Sequence, residues 1–470
     1  MNSEQESTDD ARDPAPSTSH ARAKRFAMVR WDTIEPARWS RGFSALNELG
    51  FDGVDLPIVW SAHERDDRSR DFSSPRRDVA AVVRAARGAG LAVRVRVGPR
   101  CVENEAAFGV ARWVLADPAA LARNARRGAV LEPIGLVPTP APSFASGAFV
   151  EASASWVRAA VEHLAKTALA EIEAVVVGPG TFAPLRADAL ESDHHPDAGP
   201  IAAEREQRRA QAERVLTSYC ERLLDEAQRA GATERQLRAS LVGSRNTALA
   251  ARALADKLAL DVSTPFAASG TAAIWDDVRS ALASCPRGVH FDVGCGSSPF
   301  ARPLRNRDAV SAARAVLAAG ARSMTVRYAW TGDGWVGSLL DPAGVVQRAG
   351  MRWRALFDEC AAVSVASDVD ASESVAAEPS WIHPVYGGWL AQYDLLSKRE
   401  QRDTLTPLGL RCDAPQGAYA RREGASLVLL SACEKPVIVR DDERAWIADG
   451  AVEIAPGALV VCARREGGER

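Results

Sequence analysis

The chain has 470 residues, of which 47% are hydrophobic and 25% are charged, and its formal net charge is -3. This length exceeds the usual size of a single hydrophobic core, so we expect one large domain and one smaller domain. The near-neutral balance gives no electrostatic reason to expect nucleic acid or an anionic membrane as a partner.

The N-terminal segment is polar and rich in Ser, Asp, Pro and Arg. It lacks the apolar core of a signal peptide, so we expect a disordered tail over residues 1–25. The chain also lacks the run of about 18 apolar residues that a transmembrane helix needs. Its eight cysteines are scattered without metal-ligand spacing. We therefore predict a cytoplasmic protein with reduced thiols, no metal and no cofactor.

Between residues 26 and 361, short β-rich runs alternate with helical patterns. Eight strands separated by helices predict a (β/α)8 TIM barrel, because strands buried on both faces read as continuous Val-rich runs. The predicted strands are Phe26–Trp31, Gly53–Ile58, Leu91–Val97, Ala174–Val177, Ala239–Val242, Leu258–Val262, Gly288–Asp292 and Ser323–Tyr328.

The composition changes after the predicted barrel. Residues 362–380 form a Ser-, Ala- and acid-rich linker, and residues 381–470 contain short strand patterns with an Asp449-Gly450 hairpin turn. This pattern predicts a small antiparallel β domain. Its predicted strands are Ser426–Ser431, Pro436–Val439, Ala451–Ala455 and Ala458–Cys462.

Two segments follow predicted strands at the end of the barrel where TIM-barrel chemistry is placed. Trp60, His63 and Glu64 come directly after the second strand. Residues 130–147 follow the third strand, carry four prolines and show no periodicity, so we expect a loop that shapes the substrate site.

These residues resemble glycoside hydrolase family 35, the retaining β-galactosidases, over roughly residues 26–358. The resemblance rests on the order and spacing of several short strings. They are Pro36-Ala-Arg-Trp39, Leu49-Gly-Phe51, Trp60-Ser-Ala-His-Glu64, Asp71-Phe-Ser73, Val97-Gly-Pro99, Trp113-Val-Leu115, Asp341-Pro-Ala-Gly344 and Arg352-Trp-Arg-Ala-Leu356.

The resemblance implies a catalytic pair that this chain has altered. Retaining hydrolysis uses two carboxyl groups about 5–5.5 Å apart. Where the family has Val-Glu-Asn-Glu-Tyr, this chain has Val177-Gly-Pro-Gly-Thr181, so Gly180 stands at the acid/base position and Pro179 at the sugar-binding asparagine. Asp292 stands at the position of the nucleophilic glutamate and is one methylene shorter.

The segment Cys101-Val-Glu-Asn-Glu105 follows the third strand. Glu103 or Glu105 is either a relocated acid, a substitute for the family's third-loop glutamate, or an exposed residue. By the same resemblance, the candidate substrate-binding residues are Trp60, His63, Glu64, Asn104, Tyr328 and Trp330. Each of these side chains could instead be structural.

Two other interpretations have weaker support. Asp193, His194, His195 and Asp197 lie in a polar loop without fixed ligand spacing, so we predict no metal there. The string Asp292-Val-Gly-Cys-Gly296 resembles a methyltransferase glycine-rich loop, but no acidic residue ends the next predicted strand.

The sequence therefore predicts a β-galactosidase-like carbohydrate-acting protein in which the catalytic pair has degenerated and sugar binding remains. The alternative is an active retaining glycosidase with Asp292 as nucleophile and Glu103, Glu105 or Glu64 as the acid. The sequence predicts no oligomeric state.

Overall fold

A computed structural model describes residues 22–178 apart from 103–104 and 135–136, then 193–241, 259–263, 287–294, 306–363 apart from 334–336, and 404–464 apart from 415–416, 424 and 434. Between 254 and 285 it also describes 254, 274–275, 278–279, 281–283 and 285. The predicted linker and the positions Gly180 and Pro179 lie outside these residues.

Eight parallel strands close into a barrel, which confirms the predicted fold class. The strands are β1 (Lys24–Arg30), β2 (Gly53–Pro57), β3 (Ala92–Arg96), β6 (Ile172–Val177), β7 (Leu237–Leu241), β8 (Ala259–Ser263), β9 (Val289–Gly294) and β10 (Ser323–Thr331). Around the barrel the order is β1-β10-β9-β8-β7-β6-β3-β2, and β2 pairs with β1 to complete the ring.

The barrel strands are buried because helices cover their outer faces. Six of the seven residues of β1 are buried, beginning with Arg25, so the ordered barrel starts inside the segment predicted as a tail. The helices are α1 (Trp39–Glu48), α2 (Trp60–His63), α3 (Val79–Gly88), α4 (Arg112–Ala116), α5 (Gly147–Thr167), α6 (Arg205–Arg229), α7 (Asn306–Ala318) and α8 (Arg348–Glu359).

Helix starts follow ordinary capping chemistry. Asp78 accepts a hydrogen bond from the backbone N–H of Ala81, and Ser146 accepts one from Phe149. Just before α5, the segment predicted as an irregular loop contains a two-stranded hairpin, β4 (Leu131–Ile134) with β5 (Val137–Pro140). We did not predict these strands, because three of the eight residues of β4 and β5 are prolines, which are poor strand formers.

The small C-terminal domain consists of two antiparallel three-stranded sheets, as the fold class predicts. One sheet contains β11 (Leu410–Cys412), β14 (Val437–Asp441) and β15 (Ala451–Ile454). The other contains β12 (Ala418–Glu423), β13 (Ser426–Ser431) and β16 (Leu459–Ala463).

The second sheet packs on the barrel through β12. Tyr419 lies against Trp275, with ring centroids 5.6 Å apart. The buried Arg421 donates to the carbonyl of Ala318 at the end of α7 (3.0 Å) and pairs with Glu423. In the described part of the chain, none of the helices combines the length and the apolar character that spanning a bilayer requires.

Candidate functional site

Asp292 lies on β9, inside the barrel, and is completely buried. Both of its carboxylate oxygens accept hydrogen bonds from the guanidinium of Arg96 on β3, at 3.0 Å from Nη1 and 2.6 Å from Nη2. A bidentate pair of this kind fixes the carboxylate plane and uses both oxygens. Asp292 is therefore held as a counter-ion within the barrel.

The same arginine also binds Asp55 on β2, which makes Arg96 the centre of a charge network. Its Nε and Nη2 donate to the two carboxylate oxygens of Asp55 at 2.9 and 2.6 Å. Arg94, two residues earlier on β3, pairs with Asp261 on β8. We call the residues Asp55, Arg94, Arg96, Asp261 and Asp292 the interior network; each is at most 4% exposed.

The pKa directions in the network follow burial and charge. Burial would raise the pKa of the Asp55 carboxyl, but the guanidiniums of Arg96 and Arg94 outweigh burial and hold this pKa below its usual range. Burial raises the pKa of Asp292, against the opposing charge of Arg96, and the carboxylates of Asp261 and Asp55 raise it further. The charged form of Asp55 is therefore favoured by its surroundings. The charged form of Asp292 is favoured only by the guanidinium of Arg96, since burial and the two neighbouring carboxylates oppose it.

The interior network also contains potential cation ligands. Single ligand atoms of Asp55, Asp261, His290 and Asp292 lie within 4.8 Å of one another. However, the guanidinium groups of Arg94 and Arg96 already donate to these carboxylates, so an added cation would face two positive charges. The carboxylates and guanidiniums neutralise one another in the buried interior of the barrel, and we assign no metal to this site.

His290 borders the interior network and hydrogen bonds with two hydroxyl groups. Its Nδ1 and Nε2 hydrogen bond with the hydroxyls of Ser323 and Thr325, each at 2.8 Å. Burial, together with the positive charges of Arg94, Arg96 and Arg238, holds the pKa of His290 well below 6.5. The folded protein therefore keeps this imidazole neutral at neutral pH.

Because unfolding returns His290 to an ordinary pKa, stability should fall as the pH drops below 6.5. Between about pH 7 and about pH 5.5, we expect the wild type to lose roughly 1 kcal/mol more free energy of unfolding than His290→Gln. Urea denaturation of both proteins at both pH values measures the difference. Equal losses would contradict a neutral, buried His290.

Glu105 pairs with an arginine on β1. It accepts a hydrogen bond from Nη2 of Arg30 at the end of β1 (2.9 Å), and its side chain is 40% exposed. Arg30 also pairs with Asp32 at 2.8 Å. Glu105 and Asp292 are thus bound by different arginines, while Glu103 and Asn104 lie outside the described residues.

The Trp60–Glu64 motif forms part of an aromatic cluster in the wall of the barrel. Trp60 is fully buried, stacked on Trp156 with centroids 5.9 Å apart, and meets Trp113 edge-on at 6.2 Å. Nδ1 of His63 donates a hydrogen bond to the carbonyl of Val59 (2.9 Å), and burial lowers the pKa of His63. These contacts favour packing as the role of Trp60 and His63.

Glu64 connects this cluster to neighbouring segments. Its completely buried carboxylate accepts hydrogen bonds from Nε1 of Trp113 (2.9 Å) and from Nε of Arg70 (2.6 Å). Arg70 in turn donates to Ser155 on α5 at 3.0 Å. Glu64 thereby fixes the orientation of the Trp113 ring.

The two aromatic candidates on β10 are also buried. Tyr328 has a positive φ of 54°, and its carbonyl accepts a hydrogen bond from Ser338 at 3.1 Å. Trp330 packs edge-on against Phe43 and donates from Nε1 to the carbonyl of Asp341 at 2.9 Å. These contacts tie the strand end to α1 and to the segment before α8.

In the predicted polar loop, Asp193 and His195 make local hydrogen bonds. Asp193 accepts from the hydroxyl of Ser143 (2.5 Å), and Nε2 of His195 lies 2.9 Å from the carbonyl of Ala119. Nδ1 of His195 accepts from the N–H of Asp197 at 3.1 Å. These bonds organise the turn before α6.

The sequence interpretation did not identify Arg94 and Arg96, although a signal was present. In Leu91–Val97 the arginines alternate with valines, which places both arginines on one face of the strand. Because a closed barrel turns that face inward, two charged residues there required buried partners. The alternation was thus an unused signal of a charged interior, and it does not identify Asp55, Asp261 and Asp292 as the partners.

Comparison with known proteins supports the family resemblance over part of the barrel. Residues 27–128 match the model for glycosyl hydrolases family 35. A probable beta-galactosidase C from Penicillium rubens is 35% identical over 78 residues, and one from Sclerotinia sclerotiorum is 33% identical over the same length. Each match covers 17% of this chain and 8% of the relative, so it spans a small part of these proteins.

Solved structures support the fold over more of the chain. A beta-galactosidase from the psychrophilic Marinomonas ef1 aligns with a TM-score of 0.64 and 10% identity, covering 94% of this chain and 100% of that one. The cold-adapted beta-galactosidase of Rahnella sp. R3 aligns with a TM-score of 0.59 and 10% identity, covering 96% and 99%. At these identities the likeness shows the fold alone.

Proposed function

The chain is related to glycosyl hydrolases family 35 over residues 27–128, and from this premise we propose that it binds β-galactoside-like carbohydrate without hydrolysing it. The match of residues 27–128 to the family model and the 35% identity with a probable beta-galactosidase C over 78 residues support this proposal. Loss of catalysis and retention of sugar binding are the parts that we propose.

The environment of Asp292 is the observation that supports a loss of catalysis. A glycosidase nucleophile must direct one oxygen at the anomeric carbon and work with a second carboxyl about 5–5.5 Å away. In this chain Arg96 binds both oxygens of Asp292 within 3.0 Å, and Asp292 is completely buried. Its neighbours Asp55 and Asp261 are paired with arginines too.

The sequence at the acid/base position supports the same proposal. Gly180 has no proton to donate, and Glu105 is engaged by Arg30 at 2.9 Å. The relocated-acid alternative requires Glu105 to leave Arg30 and Asp292 to leave Arg96. The string Asp292-Val-Gly-Cys-Gly296 does not favour a methyltransferase, because Asp292 lies on β9 of a closed barrel.

Carbohydrate is the partner that the family relation favours. We propose no nucleic-acid or membrane partner, consistent with a net charge of -3. A reducing compartment agrees with the free state of Cys101, Cys220, Cys285 and Cys360, and cytoplasmic placement stays a prediction.

Hydrolysis of an activated aryl β-galactoside tests the proposal, because an activated leaving group needs little help from an acid. We expect no turnover above background by the wild type or by Asp292→Asn, together with measurable binding of methyl β-galactoside by calorimetry. Turnover that disappears in Asp292→Asn would instead establish a glycosidase whose nucleophile is Asp292. Absence of sugar binding would overturn the binding part.

A further inference from the structure

Two strand-end loops bring an arginine over a tryptophan near the aromatic cluster. Trp113 lies on α4, in the segment after β3, and Arg68 lies in the loop after β2. The guanidinium carbon of Arg68 is 4.3 Å from the centroid of a Trp113 ring. Since β2 and β3 are adjacent parallel strands, both residues lie at the C-terminal end of the barrel.

The Trp113 ring is held in a fixed orientation. Its Nε1 donates to the buried Glu64 at 2.9 Å, and Trp60 packs against it edge-on at an interplanar angle of 84°. Glu64 is itself fixed by Arg70 at 2.6 Å. A ring held this way loses little conformational freedom when a ligand stacks on it.

The face of Trp113 that Arg68 covers is the one directed toward solvent, because Arg68 is exposed. Trp113 is only partly buried, unlike the enclosed Trp60, and the Arg68 that covers its face is exposed. The loop around Arg68 closes on itself, because Arg65 donates its N–H to the carbonyl of Ser69 (3.0 Å) and Ser69 bonds Asp67 at 2.6 Å. The Arg68 side chain can therefore move off the Trp113 ring while the loop keeps its own hydrogen bonds.

We propose that the outward face of Trp113 is the platform on which a β-galactoside ring stacks, and that the sugar displaces Arg68 from it. The proposal rests on the sugar-binding function proposed above. The apolar C–H face of a pyranose suits an aromatic face.

Calorimetric titration with methyl β-galactoside measures the role of each residue. We expect Trp113→Leu to weaken binding by roughly tenfold or more, since stacked aromatic contacts of this size contribute on that order. Trp113→Phe keeps an aromatic face and should stay within roughly threefold of the wild type. Arg68→Ala removes the competing cation and should tighten binding by roughly two- to fivefold.

Arg464→Ala is the matched control. Arg464 also lies over a tryptophan, 5.9 Å from the centroid of Trp446, but in the β domain. Its removal should leave the affinity unchanged. A control effect as large as that of Arg68→Ala would overturn the assignment of Arg68.

The outcomes separate this proposal from the function on which it rests. Wild-type protein that binds no methyl β-galactoside overturns the proposed function. Wild-type binding that survives Trp113→Leu overturns the platform alone. If Trp113→Leu fails to fold, Arg68→Ala decides: a sugar affinity equal to that of the wild type overturns the displacement of Arg68 and, with it, the platform that Arg68 covers.

Discussion

Replacing Arg96 by methionine should lower the free energy of unfolding by about 3–5 kcal/mol, the usual result of breaking a buried ion pair from one side. Met keeps much of the side-chain volume but removes the donors that bind Asp55 and Asp292 at 2.6–3.0 Å. Two buried carboxyls, those of Asp55 and Asp292, would then lack their shared cation. Urea denaturation at neutral pH measures the change.

Arg84→Met provides the control, because Arg84 is an exposed residue on α3, which packs near the same strand. We expect its effect to stay within about 0.5 kcal/mol. The double variant Arg96→Met with Asp292→Asn should recover at least about 1 kcal/mol relative to additive losses, because the neutral amide no longer needs a cation. An Arg96→Met protein as stable as the control would show that water solvates the interior carboxyls.

The barrel could be predicted because most of its strands share one local sequence pattern, a short run rich in apolar residues. Ile172–Val177 and Ser323–Thr331 are buried nearly throughout and are rich in apolar and β-branched residues, a pattern that can be recognised without knowledge of the neighbouring strands. In the β domain, β12 was not predicted. Arg421, Arg422 and Glu423 end that strand, and a buried Arg421–Glu423 pair gives it the composition of a loop.

The candidate site was less predictable, because the family resemblance gives positions and leaves contacts open. The family resemblance places Asp292 at the nucleophile position, and this assignment stays a prediction; in the structure Asp292 lies on β9, the seventh strand of the barrel in chain order. Its partner Arg96 is 196 residues away in sequence, so only closure of the barrel brings the two together. The same limit applies to Trp60, whose enclosure depends on Trp156 from α5.

Truncating Trp60 to alanine should cost about 3–5 kcal/mol of stability, which is typical of a large aromatic residue removed from a core. Trp60 is fully buried between the stacked ring of Trp156 and the edge of Trp113. Its removal leaves a cavity where α2 meets α4 and α5. Thermal and urea unfolding measure the loss, with calorimetric titration of methyl β-galactoside as the second readout.

Trp60→Phe distinguishes packing from direct sugar contact. A smaller ring in the same enclosure should lose less stability than alanine and leave the sugar affinity of the folded protein within about threefold, because it preserves an aromatic support beside Trp113. If Trp60 itself stacked on the sugar, as the family signature suggests, Trp60→Ala would weaken binding strongly while costing little stability. That pattern would require an open face on Trp60, whereas its contacts with Trp156 and Trp113 leave the outward position to Trp113.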